Sequence, residues 1–276
     1  MELSFSKMHG LGNDFVVIDA INQSVDLTSA QVRHIADRRL GVGCDQLLLV
    51  ERSSQSDTKF RYRIFNANGK EVEQCGNGAR CFALFVRDKG LTDANRIPVQ
   101  TPAGRIELVI QDDGRITVDM GVPRLEPEDI PFQATVRAPV YALSVAGETI
   151  EFGAVSLGNP HAVLTVPHVD TAPVEKLGPQ IEAHPRFPNH VNAGFMEIVN
   201  RGRIRLRVFE RGVGETLACG SGACAAVVVG RIRHALDETV NVELRGGDLV
   251  VSWAGKGHPV LMTGSATFVY EGKVQI

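Results

Sequence analysis

The chain contains one long block twice. Around Cys75 it reads Arg63-Ile64-Phe65-Asn66, then eight residues, then Cys75-Gly76-Asn77-Gly78-Ala79. Around Cys219 it reads Arg207-Val208-Phe209-Glu210, eight residues, then Cys219-Gly220-Ser221-Gly222-Ala223, so the block returns 144 positions later with its internal gap preserved. The similarity runs upstream as well. Leu11-Gly12-Asn13 and the apolar Val16-Val17-Ile18 match Leu157-Gly158-Asn159 and Ala162-Val163-Leu164 at an offset of 146, as Gln46 matches Asn192. A duplicated block of this length constrains the chain to fold as two like units.

Each copy repeats the same order of elements. Thr28 and Gln31 form a capping box for a helix whose apolar residues Val32, Ile35, Ala36 and Leu40 recur at helical spacing before Gly41, and 174–183 is its counterpart. An apolar strand then leads through a loop to the cysteine, a polar glycine turn and an apolar run, 81–86 in one copy and 224–229 in the other. These runs have apolar residues on all sides, as a helix surrounded by protein does. Strands follow at 98–101, 105–110 and 116–120, with counterparts at 241–244, 248–253 and 259–262, and their turns carry Asp112-Asp113-Gly114 and Gly255-Lys256-Gly257. Turn formers cluster from Gly121 to Pro131. The tail 266–274 alternates like a strand and has no repeat partner left. The expected fold is therefore α+β, two pseudo-symmetric domains, each a mixed β-sheet wrapped around a central α-helix. Residues 1–120 with 265–276 make the first domain and 121–264 the second.

Placed at helix N-termini, Cys75 and Cys219 meet backbone N–H groups and the positive end of the helix dipole, which favour thiolate over thiol. Gly76, Gly78, Gly220 and Gly222 let an anion approach the backbone. One such cysteine per half suggests a single site where the halves face each other. Cys44, Cys81 and Cys224 read as small buried hydrophobes.

Two thiols in one cleft suit three kinds of chemistry. Disulfide exchange favours a Cys-x-x-Cys motif, and the pairs Cys75/Cys81 and Cys219/Cys224 do not have that spacing. Zinc needs about four ligands at characteristic spacings, which the sequence does not supply, so no metal is expected. The third chemistry is acid–base work on both faces of one carbon, in which one thiolate takes a proton and the opposite thiol gives one, inverting a stereocentre. A carbanion beside a carboxylate then needs N–H donors, and the turns Gly76-Asn77-Gly78 and Gly220-Ser221-Gly222 provide them. Gly10-Leu11-Gly12 lacks the third glycine of a dinucleotide fingerprint and no Schiff-base motif is evident, so no organic cofactor is expected.

Composition agrees with an ordinary globular protein: 43% hydrophobic and 22% charged residues, with a net charge of −3. The charge gives no basic footprint for nucleic acid. With neither a signal-like N-terminus nor a stretch of 18 apolar residues, no membrane partner is expected, and the reading is a cytoplasmic protein with reduced thiols.

At these residues the sequence closely resembles the diaminopimelate epimerase family, across the whole chain. The resemblance rests on Met8 to Phe15, Phe65-Asn66-Ala67, Gln74 to Cys81, Gly158-Asn159-Pro160-His161, Glu210-Arg211-Gly212 and Ala218 to Ala223. It implies cofactor-independent interconversion of LL- and meso-2,6-diaminopimelate in lysine and peptidoglycan precursor biosynthesis, with Cys75 and Cys219 as the acid–base thiols. Gly76, Asn77, Gly220 and Ser221 would hold the carboxylate at the reacting centre. Asn13, Gln46, Asn66, Asn159, Asn192, Glu210 and Arg211 would line the pocket, Arg211 pairing the distal carboxylate and Glu210 the distal ammonium side. His161 and Glu210 would tune the thiols, and Tyr270 would serve a homodimer.

From the residues alone, Asn13 and Asn159 also read as turn formers, Arg211 as a solvated charge paired with Glu210, and His161 as a packed histidine. One contrast favours a substrate with unlike ends: Asn66 is neutral where its counterpart Glu210 is charged. A proline or hydroxyproline racemase of the same architecture, and a non-catalytic thiol or redox protein, are the alternatives.

Overall fold

The computed structural model describes residues 2–72 and 75–276; Gln74, part of the motif before Cys75, lies outside them. Residues up to Asp119, with Thr263–Ile276, form one compact unit, and Met120–Met262 form the other.

The first unit holds β1 (Glu2–Gly10), β2 (Asn13–Asp19), α1 (Ser29–Ala36), β3 (Gln46–Arg52), β4 (Phe60–Asn66), β5 (Glu71–Val72), α2 (Gly76–Asp88), β6 (Arg96–Thr101), β7 (Gly104–Ile110) and β8 (Ile116–Asp119). β1 pairs antiparallel with β2 on one side and with the C-terminal strand Thr267–Gln275 on the other. β2 runs parallel to β3 across the α1 crossover, and β4 parallel to β6 across the α2 crossover, with antiparallel pairs between β3 and β4, β6 and β7, and β7 and β8.

The second unit begins with the antiparallel hairpin β9 (Tyr141–Val145) and β10 (Glu148–Ser156), then repeats the plan. It continues with β11 (Pro160–Thr165), α3 (Val174–Glu182), β12 (Asn192–Asn200), β13 (Arg203–Glu210), β14 (Gly214–Glu215), α4 (Gly220–Ile232), β15 (Thr239–Leu244) and β16 (Gly247–Trp253), and β17 (Val260–Gly264) carries the chain back into the first unit. Register is repeated too: His161 sits opposite Asn192 on parallel β11 and β12 as Phe15 sits opposite Gln46 on β2 and β3.

Burial explains why the central strands are continuous apolar runs. Val16, Ile18, Leu47 and Leu49 pack with Val32, Ile35 and Ala36 of α1. Alternate residues point the other way, and there Phe15, Tyr62 and Ile64 meet the first turn of α2 at Gly78. A strand covered on both faces has no polar side to show. α2 touches β1, β2, β3, β7 and β8, and α4 touches β10, β11, β12, β13 and β16, so each is a helix inside a wrapped sheet. Arg80, on α2, is wholly buried, its Nε donating to the Ser265 carbonyl and its Nη2 to the Asn77 side chain. An aromatic group, Phe132, Tyr141, Phe152 and Phe187, fills the outer layer of the second unit.

One element departs from its expected length. The capping box of Thr28 and Gln31 is present, but α1 ends at Ala36 and Leu40 is 79% exposed. The Asp37 carboxylate accepts the N–H groups of Arg39 and Leu40 and turns the chain. Gly41 then lies so close to the His34 carbonyl that a Cβ would fall 1.9 Å from it.

Candidate active site

Cys75 and Cys219 are the N-cap residues of α2 and α4, both in extended backbone and neither making a side-chain cap bond. Their carbonyls accept the first helical hydrogen bonds, from Ala79 at 2.8 Å and Ala223 at 2.9 Å. That places the first-turn N–H groups of each helix outside the helical hydrogen-bond ladder and next to the cysteine. Gly78 and Gly222 are glycine for a packing reason: a Cβ would lie 2.8 Å from the Tyr62 hydroxyl in one copy and 2.9 Å from Val208 in the other. The helix start is pressed onto its sheet, so the fold itself requires these two glycines.

In the second unit Cys219 is buried and its Sγ donates to the Glu210 carboxylate at 3.1 Å, with the Ser221 hydroxyl at 3.7 Å. Burial pushes this thiol well above its ordinary value, and the charge and hydrogen bond of Glu210 add to the rise; Ser221 and the Gly222 N–H pull the other way without reversing it. The expected preference for thiolate is thus overturned at Cys219, because desolvation and a neighbouring carboxylate outweigh a helix terminus. Glu210 also accepts from the Thr216 hydroxyl.

Asn159 links two further residues. Its Nδ2 donates to the Ser221 hydroxyl at 3.3 Å, and its Oδ1 faces His161 Nε2 at 3.0 Å. His161 is 1% exposed, and burial, helped by the charge of Arg211, brings its pKa down to about 3. The imidazole is therefore neutral, and in the tautomer that carries its proton on Nε2 it donates to the asparagine oxygen. Among the described residues the hydrogen-bonded path from His161 to the thiol runs through Asn159 and Ser221. Asn192 is committed at both ends, donating to the Pro160 carbonyl at 3.0 Å and accepting the Arg211 N–H at 2.9 Å. It shapes the Arg211 loop. Arg211 itself is exposed, with Nη1 on the Asn189 carbonyl at 3.0 Å.

In the first unit Cys75 is half-buried. Its Sγ donates to Asn13 Oδ1 at 3.6 Å, and Asn77 Nδ2 donates to the same oxygen at 3.3 Å. Gln46 Nε2 donates to Asn66 Oδ1 at 2.8 Å, and the buried Tyr62 hydroxyl donates to the Cys75 carbonyl at 3.2 Å. Where Glu210 puts a charge on the thiol of the second copy, its counterpart Asn66 is held by Gln46.

Four residues of this half-site carried no separate signal as polar positions. Lys7 donates to Asp14 and to the Gly43 carbonyl, and Arg38 bridges the carboxylates of Asp14 and Asp45. Burial opposes ionisation of Asp14, but the hydrogen bonds and charges of Arg38 and Lys7 hold its carboxyl well below the usual range. Asp14 was within reach, inside the quoted motif; Lys7, Arg38 and Asp45 become neighbours only through the fold. Cys44, Cys81 and Cys224 are buried hydrophobes as expected, and desolvation raises the Cys44 thiol to about 11 and the Cys81 thiol further. Among the described residues no group of three His, Cys, Asp or Glu side chains is arranged to hold a metal ion.

A cysteine capping a buried helix in both halves of a duplicated fold is what the sequences of known proteins then explain. The sequence model of diaminopimelate epimerase matches residues 5–126 and 153–269. The chain belongs to the diaminopimelate epimerase family. A diaminopimelate epimerase from Thioalkalivibrio sulfidiphilus is 66% identical over 278 residues, and one from Aromatoleum aromaticum is 60% identical over 276, each pair matched over 100% of both chains. The fold is wider than the family. A hydroxyproline epimerase from Agrobacterium vitis, solved with trans-4-hydroxy-L-proline bound, superposes with a TM-score of 0.70 at 16% identity, covering 99% of this chain and 92% of that one.

Proposed function

We propose that the protein is an isomerase that interconverts LL- and meso-2,6-diaminopimelate, serving lysine and peptidoglycan precursor biosynthesis. The observation that carries the reaction type is a cysteine at the N-cap of a buried helix in both copies of the repeat. Full-length similarity to proteins named diaminopimelate epimerase carries the substrate. The likeness to a hydroxyproline epimerase, at 16% identity, bears on the fold alone.

In this reading one cysteine, as thiolate, takes the α-proton: the C–H bond breaks, an S–H bond forms and the electron pair moves into the carboxylate. The N–H groups of Gly76, Asn77, Gly220 and Ser221, at two helix starts, stabilise the charge that develops there. The other cysteine, as thiol, gives its proton to the opposite face, so the configuration inverts and the two sulfurs exchange protonation states. Neither step draws on an organic cofactor. Asn13, Gln46, Asn66, Asn159, Asn192 and Glu210 line the pocket, and Arg211 pairs the distal carboxylate. Its exposed guanidinium suits that role.

We place the enzyme in the cytoplasm, where its thiols stay reduced, and as a homodimer that uses Tyr270. Tyr270 is 48% exposed on the C-terminal strand, packed edge-on against Phe5 at 6.0 Å. No helix of the described residues is long and apolar enough to cross a membrane.

The deciding experiment incubates reduced protein with LL-diaminopimelate in deuterated water, following configuration and loss of the α-proton together. Inversion accompanied by one deuterium at the α-carbon is expected. Neither inversion nor exchange by folded, reduced protein would overturn the reading.

A further inference from the structure

The two copies of the repeat orient their matching asparagines oppositely. Asn13 turns its oxygen toward the helix start, where it accepts from Asn77 and from the Cys75 sulfur. Asn159 turns its NH2 toward the helix start, donating to Ser221. A side-chain amide has nearly the same shape either way round, so its partners on the far side decide which end points inward.

Those far-side partners differ in kind. Behind Asn159 stands neutral His161, whose Nε2 faces the amide oxygen at 3.0 Å. The same position in the first copy is Phe15, which can demand nothing. There the partner is Asp45: Asn13 Nδ2 donates to Asp45 Oδ2 at 3.0 Å. A carboxylate only accepts, so it fixes the NH2 end outward and the oxygen end toward Cys75. The matching residue of the second copy is Val191, so this device occurs in one half alone.

Asp45 is itself tightly placed. Its Oδ2 also accepts the Asp14 N–H at 3.1 Å, its Oδ1 accepts Arg38 Nη2 at 2.8 Å, and its own N–H donates to Asp14 Oδ1 at 2.9 Å. Two carboxylates this close repel unless a cation joins them, and Arg38 does so, with Lys7 on the far oxygen of Asp14. Among the described residues the other ionisable groups beside the cluster are Cys44, beside Lys7, His9, opposite Asp14 on β1, Tyr62, on the Cys75 carbonyl, Arg80, whose Nη2 donates to the Asn77 side chain, and the buried Cys81 thiol near Cys75.

We propose that Asp45, held by Arg38, is a positioning residue that locks the Asn13 amide with its oxygen on Cys75. The lock presents the sulfur with an acceptor, which favours the thiol and aims its proton. It rests on the reading of Cys75 as an acid–base group, and it adds a member to the site that touches no substrate.

The test reads Cys75 directly. Wild type, Asp45→Ala and Asp45→Asn are alkylated with iodoacetamide from pH 6 to 10 and Cys75 is quantified by peptide mapping, alongside circular dichroism and epimerisation kinetics. Without the carboxylate the amide is free to turn its NH2 to the sulfur and stabilise the thiolate. The Cys75 titration should then fall by about one unit in Asp45→Ala, the equivalent of one neutral hydrogen bond, with kcat lowered about tenfold. Asp45→Asn, whose oxygen still accepts from Asn13, should restore both. A merely structural Asp45 would change thermal stability and leave the Cys75 profile where it was, and that result overturns the proposal. Should Asp45→Ala fail to fold, Arg38→Gln decides: its side chain is 58% exposed and its hydrogen bonds go to Asp14 and Asp45, and an unmoved Cys75 profile there counts equally against it. Absence of epimerisation by wild type would instead sink the proposed function, since alkylation is read without substrate.

Discussion

The Cys219 sulfur donates its hydrogen bond to the carboxylate of Glu210 at 3.1 Å, so the resting thiol of the second unit faces the group best able to take its proton. Burial and that charge together hold the thiol high. Glu210→Gln removes the charge and keeps a polar side chain of the same size. Alkylation of Cys219 at pH 8 should then rise about tenfold or more, while epimerisation falls. Peptide mapping after iodoacetamide reads the first effect; a Cys219 that reacts no faster in the glutamine variant would show that burial alone sets its value.

Each cysteine should prove indispensable. Neither side chain makes a helix-cap hydrogen bond, so Cys75→Ala and Cys219→Ala are expected to fold with wild-type circular dichroism. Losing one of two acid–base groups should cost at least about 100-fold in epimerisation. Retention of more than a few per cent of activity in either folded variant would argue against chemistry on both faces of the carbon.

The fold was legible because duplication doubles every weak signal. One Cys-Gly-Asn-Gly turn before an apolar run is ambiguous; two at a fixed offset, each preceded by the same strand, define a helix N-terminus twice. Leu40 shows the limit of periodicity, since the Asp37 turn and the close approach of Gly41 end α1 early. At the site, residue types and positions were readable but electrostatics were not. Helix-terminus reasoning gave Cys219 a thiolate, and only the fold shows the burial and the Glu210 contact that defeat it. Asp45 was invisible for another reason. Its importance lies in which end of Asn13 it holds, and an amide's orientation leaves no trace in sequence.

Arg211 should act on binding more than on turnover. Its guanidinium is exposed and, among the described residues, its side-chain hydrogen bond goes to the Asn189 carbonyl, which leaves it able to take a carboxylate at the far end of a substrate. Charge-assisted pairing of this kind contributes roughly 1.5 to 3 kcal/mol. Arg211→Met is therefore expected to raise KM for diaminopimelate about 10- to 100-fold, with smaller amino acids losing less. Steady-state kinetics in which KM does not change would return Arg211 to the role of a surface charge.

His161 makes the second unit sensitive to acid. Its imidazole titrates near 6.5 in an unfolded chain but about 3 in the fold, where burial and Arg211 oppose the charge. Between those values the unfolded chain holds a proton that the folded one refuses. Folded-state stability is accordingly lost as pH falls through that window, by up to about 1.4 kcal/mol per pH unit, and the slope ends once the folded imidazole also protonates. His161→Gln keeps a donor for Asn159 without a titratable ring. Carboxylates held low by a cation, such as Asp14 beside Arg38 and Lys7, are common to both proteins, so the difference between them isolates the histidine. Near neutral pH the variant should match wild type or fall slightly below it. By pH 5 wild type should have lost about 2 kcal/mol relative to the variant, read as urea midpoints converging and then crossing. Curves that stay parallel from pH 7 to pH 4.5 would mean that the folded imidazole accepts its proton as readily as the unfolded one, and that Asn159 is held by a charged ring.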